Sequence, residues 1–474
     1  MGKSNKLGLW VLTALVVGNM VGSGIFMLPR SLSEAASPAG VIAAWLLTGF
    51  GVLTIALVFG NLAIRKPNLT GGPQIYASAL FKEGSTASKL SGFMSSWGYW
   101  VGNLAGIVAV IMTFASYLST FFPILNSTTT WFTLGGFTVK VGNGLTFIIC
   151  TVLLWGIHFI ILRGMESAGK LNFLATAAKV VGFFLFIIVG LFAFEKSNIL
   201  PMAATRLDEA GQAIGMVSQI NSAAVNTLWA FIGIESAMVF AGRAKKQIDV
   251  KRATILGLFI ALAIYIGIST LAMGMLDQNT LIHSEKPLID AIQSVLGPLG
   301  GKVLAAVGLV SLFGSTIGWV MLSAEVPYQA AKQGLFLPSF LKEDKKGLPS
   351  FSLLLTNGLA QIFVFSTISK SISGAFDFVI LIATLAYLVP YFISSVYQLK
   401  LVVTGETYEN GKSRIADGVI ALIATIYSTW VIIAGSGDLK TFGFGVLLIV
   451  SGILFCRPVL KRQPEVKHEK ALSA

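Results

Sequence analysis

Gly18-Asn19-Met20-Val21-Gly22-Ser23-Gly24-Ile25-Phe26 interrupts an apolar run that otherwise extends from Leu7 to Pro29. Three small residues in succession, Gly22, Ser23 and Gly24, weaken a helix and leave backbone amides free. Hydrocarbon cannot satisfy those amides, so a membrane helix that opens here must face a protein-lined cavity. In such a cavity the exposed N–H groups and the positive end of a half-helix suit an anionic group such as a carboxylate. Close helix packing is the competing reading, since Gly-x-Gly and small-xxx-small patterns also mark contacts between membrane helices.

A second segment departs from ordinary transmembrane composition at its middle: Thr227-Leu228-Trp229-Ala230-Phe231-Ile232-Gly233-Ile234-Glu235. Around these two, apolar stretches of about 20 residues recur along the chain, each long enough to cross ~30 Å of hydrocarbon, and they number about twelve. The expected spans are Leu7–Pro29, Val41–Leu62, Gly92–Phe122, Gly144–Leu162, Leu171–Phe194, Gly215–Ala241, Ala253–Leu276, Lys302–Glu325, Ser350–Ser369, Phe376–Leu399, Gly418–Ala434 and Phe442–Cys456. The interrupted segments are the first and the sixth, which are equivalent positions if helices 1 to 5 and 6 to 10 form inverted repeats. Interrupted segments at corresponding positions are a sequence pointer to a transporter's binding site.

Composition agrees with a chain made for lipid: 55% of residues are hydrophobic and 12% charged, with a mean hydropathy of +0.80. The formal net charge of +13 would suggest nucleic acid if it were clustered on a soluble face, but its placement follows membrane topology. With a cytoplasmic N-terminus, pairs such as Arg65-Lys66, Lys245-Lys246, Lys251-Arg252, Lys345-Lys346 and Lys461-Arg462 all fall in inner loops. The split is about 25 basic residues inside to 8 outside, so both termini are expected in the cytoplasm and no nucleic-acid partner is expected. Cys150 and Cys456 make no disulfide framework, and His158, His283 and His468 are too scattered for a metal centre. No cofactor or metal is expected, and neither a nucleophile with its base nor a phosphate loop is found.

Together with Gly71-Gly72-Pro73-Gln74-Ile75-Tyr76, Trp100-Val101-Gly102-Asn103, Trp229-Ala230-Phe231-Ile232-Gly233-Ile234-Glu235-Ser236 and Gly318-Trp319, the opening motif resembles the amino acid-polyamine-organocation superfamily. The likeness is nearest to its basic amino acid/polyamine antiporters. It implies an all-α polytopic fold with a ten-helix inverted-repeat core over residues 1–402, whose first and sixth helices are discontinuous. Two additional helices and a cytoplasmic tail would occupy residues 403–474. It also implies alternating access in the cell membrane, a small amino acid or amine as substrate, and a homodimer in the bilayer.

Residue by residue, the resemblance implies that Gly22, Ser23 and Gly24 receive the substrate carboxylate and that carbonyls near Met20 and Ile232 receive its ammonium group. Trp229 would close over the substrate, and Trp319 would pack on its side chain. Both lie well inside their spans rather than at the ends where lipid-belt indoles sit. Asn103 would meet the distal end of the substrate; the alternative is an interhelical hydrogen bond. Ser315, four residues before Trp319, either shares the pocket or bonds its own helix. Lys179 and Glu235 are ionisable groups deep in spans and are therefore candidates for gating or proton coupling, with a structural ion pair as the rival explanation. The resemblance places Glu235 at an inner gate with Tyr391, and Lys179 where an ammonium replaces a sodium ion.

Departures from the arginine/agmatine pattern fall at the side-chain end: Ala383 and Ala230 stand where serines are expected, and Ser95 where a tyrosine is. Tyr99 restores some polarity. The expected activity is exchange of arginine, lysine or ornithine for an amine or another amino acid. Proton-coupled symport, or exchange of a neutral amino acid such as tyrosine, is the alternative. A channel would need a continuous polar stripe, which no span carries, and a transporter-like sensor would bind without counterflow.

Overall fold

The computed structural model describes residues 8–69, 72–134, 137–207, 212–239, 241, 244–345, 347–369, 372–408 and 412–461. Leu7, Gly71, Lys346, Arg462 and His468, named above, lie outside them. The first span is a bent pair, Leu9–Met20 and Gly24–Ala35, with 49° between its halves. Pro38–Arg65, Thr86–Leu118, Val141–Arg163 and Met165–Phe192 are the second to fifth spans. The sixth is Met216–Ala230, a turn through residues 231–235, and the short helix Ser236–Val239. Gln247–Met275, Pro287–Lys332, Ser350–Val364 and Ile372–Thr404 are the seventh to tenth. Lys412–Gly435 and Leu439–Val450 are the eleventh and twelfth. Two short antiparallel hairpins, Thr130–Leu134 with Phe137–Lys140 and Arg206–Leu207 with Ala213–Ile214, lie in connections.

Among the described residues nine helices are long and apolar enough to cross a bilayer alone, and the bent first span makes a tenth. The fifth expected span is matched by the 28-residue helix Met165–Phe192, which carries Lys179 in its middle. In the sixth, the helix stops at Ala230, where the break begins. The eighth comprises two helical pieces: a short one from Pro287 ends at Gly297, whose φ of +68° is non-helical, and the second runs from Pro298 to Lys332, beginning close to the expected Lys302.

Packing follows a pattern that exchanging helix n with helix n+5 preserves. The second span packs on the seventh and the third on the eighth, pairs that such an exchange maps onto themselves. The first packs on the seventh as the sixth packs on the second, and the third packs on the tenth as the eighth packs on the fifth. Because each repeat has an odd number of spans, the second copy enters the membrane from the opposite side. The third span lies at the centre and is almost wholly buried, whereas the eleventh and twelfth leave most of their surface outward. Its Gly98, Gly102 and Gly106 let neighbouring helices approach closely.

At one end of the bundle a polar knot ties the core to the eleventh span. Arg65 donates to Asp417 Oδ2 through Nε at 3.0 Å and Nη2 at 2.7 Å, and its guanidinium lies 3.7 Å from the Tyr408 ring centroid. Asn61 donates to the other carboxylate oxygen at 2.9 Å and accepts from Lys251 at 2.7 Å. Asp417 is mostly buried, so Arg65→Met should lower the unfolding free energy in detergent by about 2–4 kcal/mol. The nearby pair of Lys66 and the half-exposed Glu406 should matter less, with Glu406→Gln costing under ~1 kcal/mol. Thermal unfolding of the purified variants checks both values.

Candidate functional site

The two breaks in the first and sixth spans meet, and side chains satisfy the backbone groups that the breaks release. At the first break the Gly22 N–H turns back to the Met20 carbonyl at 2.7 Å. The next half-helix begins at Gly24; its Phe26 N–H donates to the Ser23 carbonyl at 3.1 Å, and the Gly24 and Ile25 N–H groups stand at its positive end. Lys179 of the fifth span reaches the Gly18 carbonyl at 3.4 Å, placing an ammonium at the negative end of the incoming half-helix. At the second break Tyr265 donates to the Ala230 carbonyl at 2.6 Å, and the Gly233 N–H donates to Glu235 Oε2 at 3.0 Å. Ser236 donates to the Gly233 carbonyl at 2.5 Å and accepts from Asn19 at 2.7 Å, joining one break to the other.

Gly233 makes that junction possible. Its φ is +108°, and a Cβ there would stand 3.0 Å from the Asn19 carbonyl carbon and 3.1 Å from the Met20 nitrogen. Any side chain would push the two broken backbones apart.

A cavity lies between the breaks, lined by Asn19, Met20, Gly22, Ser23, Gly24, Trp229, Ala230, Ile232 and Trp319. It is tight, with space for roughly one water molecule. Two indoles close it: Trp229 and Trp319 stack with centroids 6.1 Å apart and planes 28° apart. The Trp229 indole nitrogen lies 3.2 Å from where a Gly24 Cβ would be, and that of Trp319 lies 3.9 Å from the same point on Gly22. The aromatic lid therefore rests directly on the free amides of the first break.

Most of the sequence candidates for substrate contact meet in this cavity, but Asn103 and Ser315 do not line it. Asn103 is fully buried and donates to the Tyr99 carbonyl of its own helix at 2.7 Å. Ser323 of the eighth span donates to both the Trp319 and the Asn103 carbonyls, tying the third span to the eighth at this level. Ser315 is buried on the same helix as Trp319, one turn away. Asn19 and Ala230 join the lining; Asn19 stood inside the opening motif, where its short amide between glycines was the available signal.

Glu235 is enclosed and accepts three hydrogen bonds, from Tyr391 at 2.6 Å, Tyr99 at 2.9 Å and the Gly233 N–H. Three donors are the number a buried carboxylate needs to offset much of its lost hydration. The structural ion pair considered as a rival does not form: among the described residues neither Glu235 nor Lys179 has an oppositely charged partner within salt-bridge distance. Tyr99 is the partner that sequence reasoning missed as a Glu235 ligand. Its position one turn before Asn103, on the same helix face, was the available signal.

Nine membrane-long helices among the described residues, together with two broken spans that meet at a small closed cavity, define a multi-pass membrane protein. The chain matches the amino acid permease family over residues 7–456 and belongs to it. A Bacillus subtilis protein provisionally named an arginine/ornithine antiporter is 50% identical over 458 residues, 96% of this chain and 97% of that protein. The arginine/ornithine antiporter of Pseudomonas aeruginosa is 38% identical over 96% of this chain and 91% of its own length. The arginine/agmatine antiporter of Chlamydia pneumoniae is 32% identical over 98% and 92%.

Gly233→Ala should lower stability by about 1–3 kcal/mol through strain at positive φ and contact with Asn19. It should also abolish amino acid uptake, because the breaks no longer meet. Gly18→Ala, whose added methyl would have nothing within 4 Å, should leave both melting temperature and uptake unchanged.

Proposed function

We propose that this chain exchanges cationic amino acids, foremost arginine against ornithine, across the cell membrane by alternating access. The observation that carries the reading is the pair of facing broken helices, whose free amides and dipole suit an α-carboxylate while aromatic faces and neutral oxygens surround the remaining space. The names of its relatives supply the substrate class. In this reading Gly22, Ser23 and Gly24 bind the carboxylate and the Met20 and Ile232 carbonyls bind the ammonium group. Trp229 and Trp319 cover the substrate, and Asn103 and Ser315 come into contact once Trp319 swings away. Glu235 with Tyr391 and Tyr99 closes one side of the passage, and Lys179 holds the first half-helix.

Residues 1–402 form the moving core and residues 403–474 the added helices and tail, with both termini in the cytoplasm and two copies paired in the bilayer. The excess of Lys and Arg in the loops that this orientation places inside supports it. Proton symport has no comparable support from the relatives' names, and nothing in the cavity lining suggests enzymatic chemistry.

Counterflow in proteoliposomes decides the matter. Labelled arginine should accumulate only in vesicles loaded with arginine, ornithine or agmatine; accumulation in empty vesicles under a pH gradient would favour symport. Ser23→Lys should eliminate exchange by filling the carboxylate site, with insertion intact by size-exclusion profile; normal exchange by this variant would remove the proposed site. If Glu235 carries the proton response, Glu235→Gln should flatten the pH profile of exchange between pH ~5 and ~8; an unchanged profile would leave Glu235 a purely structural acceptor.

A further inference from the structure

The two breaks differ in what makes them. The first is written into the chain as Gly22-Ser23-Gly24, whereas the sixth-span break has one glycine, Gly233, among Phe231, Ile232 and Ile234, residues that a membrane helix accommodates without interruption. Side chains must therefore help to hold the second break open. In a continued helix the Ile234 N–H would bond the Ala230 carbonyl. Here that N–H goes to the Phe231 carbonyl at 3.1 Å, and the Ala230 carbonyl accepts the phenol of Tyr265 at 2.6 Å. Tyr265, on the seventh span, occupies the acceptor through which the helix would otherwise lengthen.

A socket of side chains from the second, sixth and seventh spans aims that phenol. The Tyr265 ring stacks on Trp45 with centroids 5.1 Å and planes 18° apart. The Phe231 ring stands edge-on to both, 5.3 Å from Tyr265 and 5.9 Å from Trp45. Trp45 is fixed in turn, because its indole N–H donates at 3.1 Å to Ser269, one turn beyond Tyr265. Thr48 and Thr227 share a hydrogen bond of 2.7 Å, which joins the second span to the sixth one turn before Phe231. All six side chains are buried, and none lines the cavity that Ala230 lines.

We propose that Tyr265 is a positioning residue for recognition of the substrate's α-ammonium group. By holding the Ala230 carbonyl it keeps the sixth-span break open and leaves the Ile232 carbonyl, two residues on, presented to the ammonium. The inference rests on the proposed exchange function and on the role given there to Ile232. In a continued helix the Ser236 N–H would take the Ile232 carbonyl, but that N–H bonds the Gly233 carbonyl at 3.0 Å. Without the phenol, the Ala230 carbonyl becomes an unmet buried acceptor, a cost that recapture of the Ile234 N–H relieves. Recapture pulls the following turn towards helix and withdraws the Ile232 carbonyl from the substrate. Tyr265→Phe removes the donor and keeps the ring that fills the socket.

The test sets arginine against deamino-arginine, in which hydrogen replaces the α-amino group, in counterflow by wild-type protein, Tyr265→Phe and Ser269→Ala. The wild-type protein should prefer arginine. Tyr265→Phe should raise the apparent KM for arginine and ornithine about tenfold, the scale of one hydrogen bond. Inhibition by deamino-arginine should change less, so the preference for arginine falls. Ser269→Ala, which frees the Trp45 indole from the seventh span, should lower that preference in the same direction by about threefold. An unchanged preference in Tyr265→Phe would overturn the inference, since a merely structural effect weakens both compounds alike. Should Tyr265→Phe fail to insert, Ser269→Ala alone decides by the same ratio. Equal binding of the two compounds by the wild-type protein would refute the ammonium role of Ile232 and the inference with it. Absence of arginine–ornithine exchange in the wild-type protein would instead refute the function itself, a result separable from the behaviour of the variants.

Discussion

A backbone amide or carbonyl in hydrocarbon must find a partner inside the protein, and this constraint shapes the centre of the molecule. An unbroken helix meets it within itself and therefore has nothing to offer a ligand. Two broken helices can meet it only by borrowing. Here the sixth span takes Tyr265 for the Ala230 carbonyl, Ser236 for the Gly233 carbonyl and Glu235 for the Gly233 N–H. The first span takes Lys179 for the Gly18 carbonyl. What remains at the start of the half-helix is the Gly24 and Ile25 N–H pair at its positive end, a setting that suits a carboxylate.

The same borrowing links the site to the elements that would move. Glu235 caps the sixth-span break and simultaneously holds Tyr391 of the tenth span and Tyr99 of the third. Displacing any one of these changes the partners of the other two. Because packed interiors switch between discrete arrangements rather than deform smoothly, a carboxylate shared among three spans is suited to register which side of the passage is closed. The stacked Trp229 and Trp319 do the corresponding work at the cavity. With room for about one water, the cavity cannot accept an amino acid side chain until at least one indole turns away.

Much of this was legible in the sequence because the decisive signals are local. Gly22, Ser23 and Gly24 announce a break through their own backbone properties, and Trp229 beside Gly233 announces the second through an indole at the middle of a span. The short helical piece from Pro287 to the break at Gly297 lay outside the expected eighth span because it is short of the apolar composition that marks a membrane crossing. Asn103 and Ser315 were expected at the cavity and stand behind its wall, since the position of Trp319 depends on how closely the third and eighth spans approach. That distance is fixed by Gly106, a residue whose importance is visible only once the helices are packed. Tyr99 became a Glu235 ligand for a similar reason: which face of the third span meets the tenth is a tertiary fact.

A carrier that exchanges two cations needs to bind each without trapping it. A buried carboxylate set directly against a guanidinium gives strong attraction in low dielectric, and removing the ligand would leave an uncompensated charge, an arrangement that resists release. Neutral oxygens and ring faces give a gentler hold, about 1.5–3 kcal/mol for a hydrogen bond to a charged group and ~0.5–2 for a cation over a ring. In this chain Glu235, the carboxylate at the sixth-span break, is already occupied by two tyrosine hydroxyls and a backbone amide. Arginine and ornithine share one net charge, so a one-for-one swap moves no charge across the membrane. They differ in the length, shape and donor count of the cationic end. A site built from several weak acceptors, able to serve a planar guanidinium or a compact ammonium, therefore matches exchange between the two better than a single strong counter-charge would.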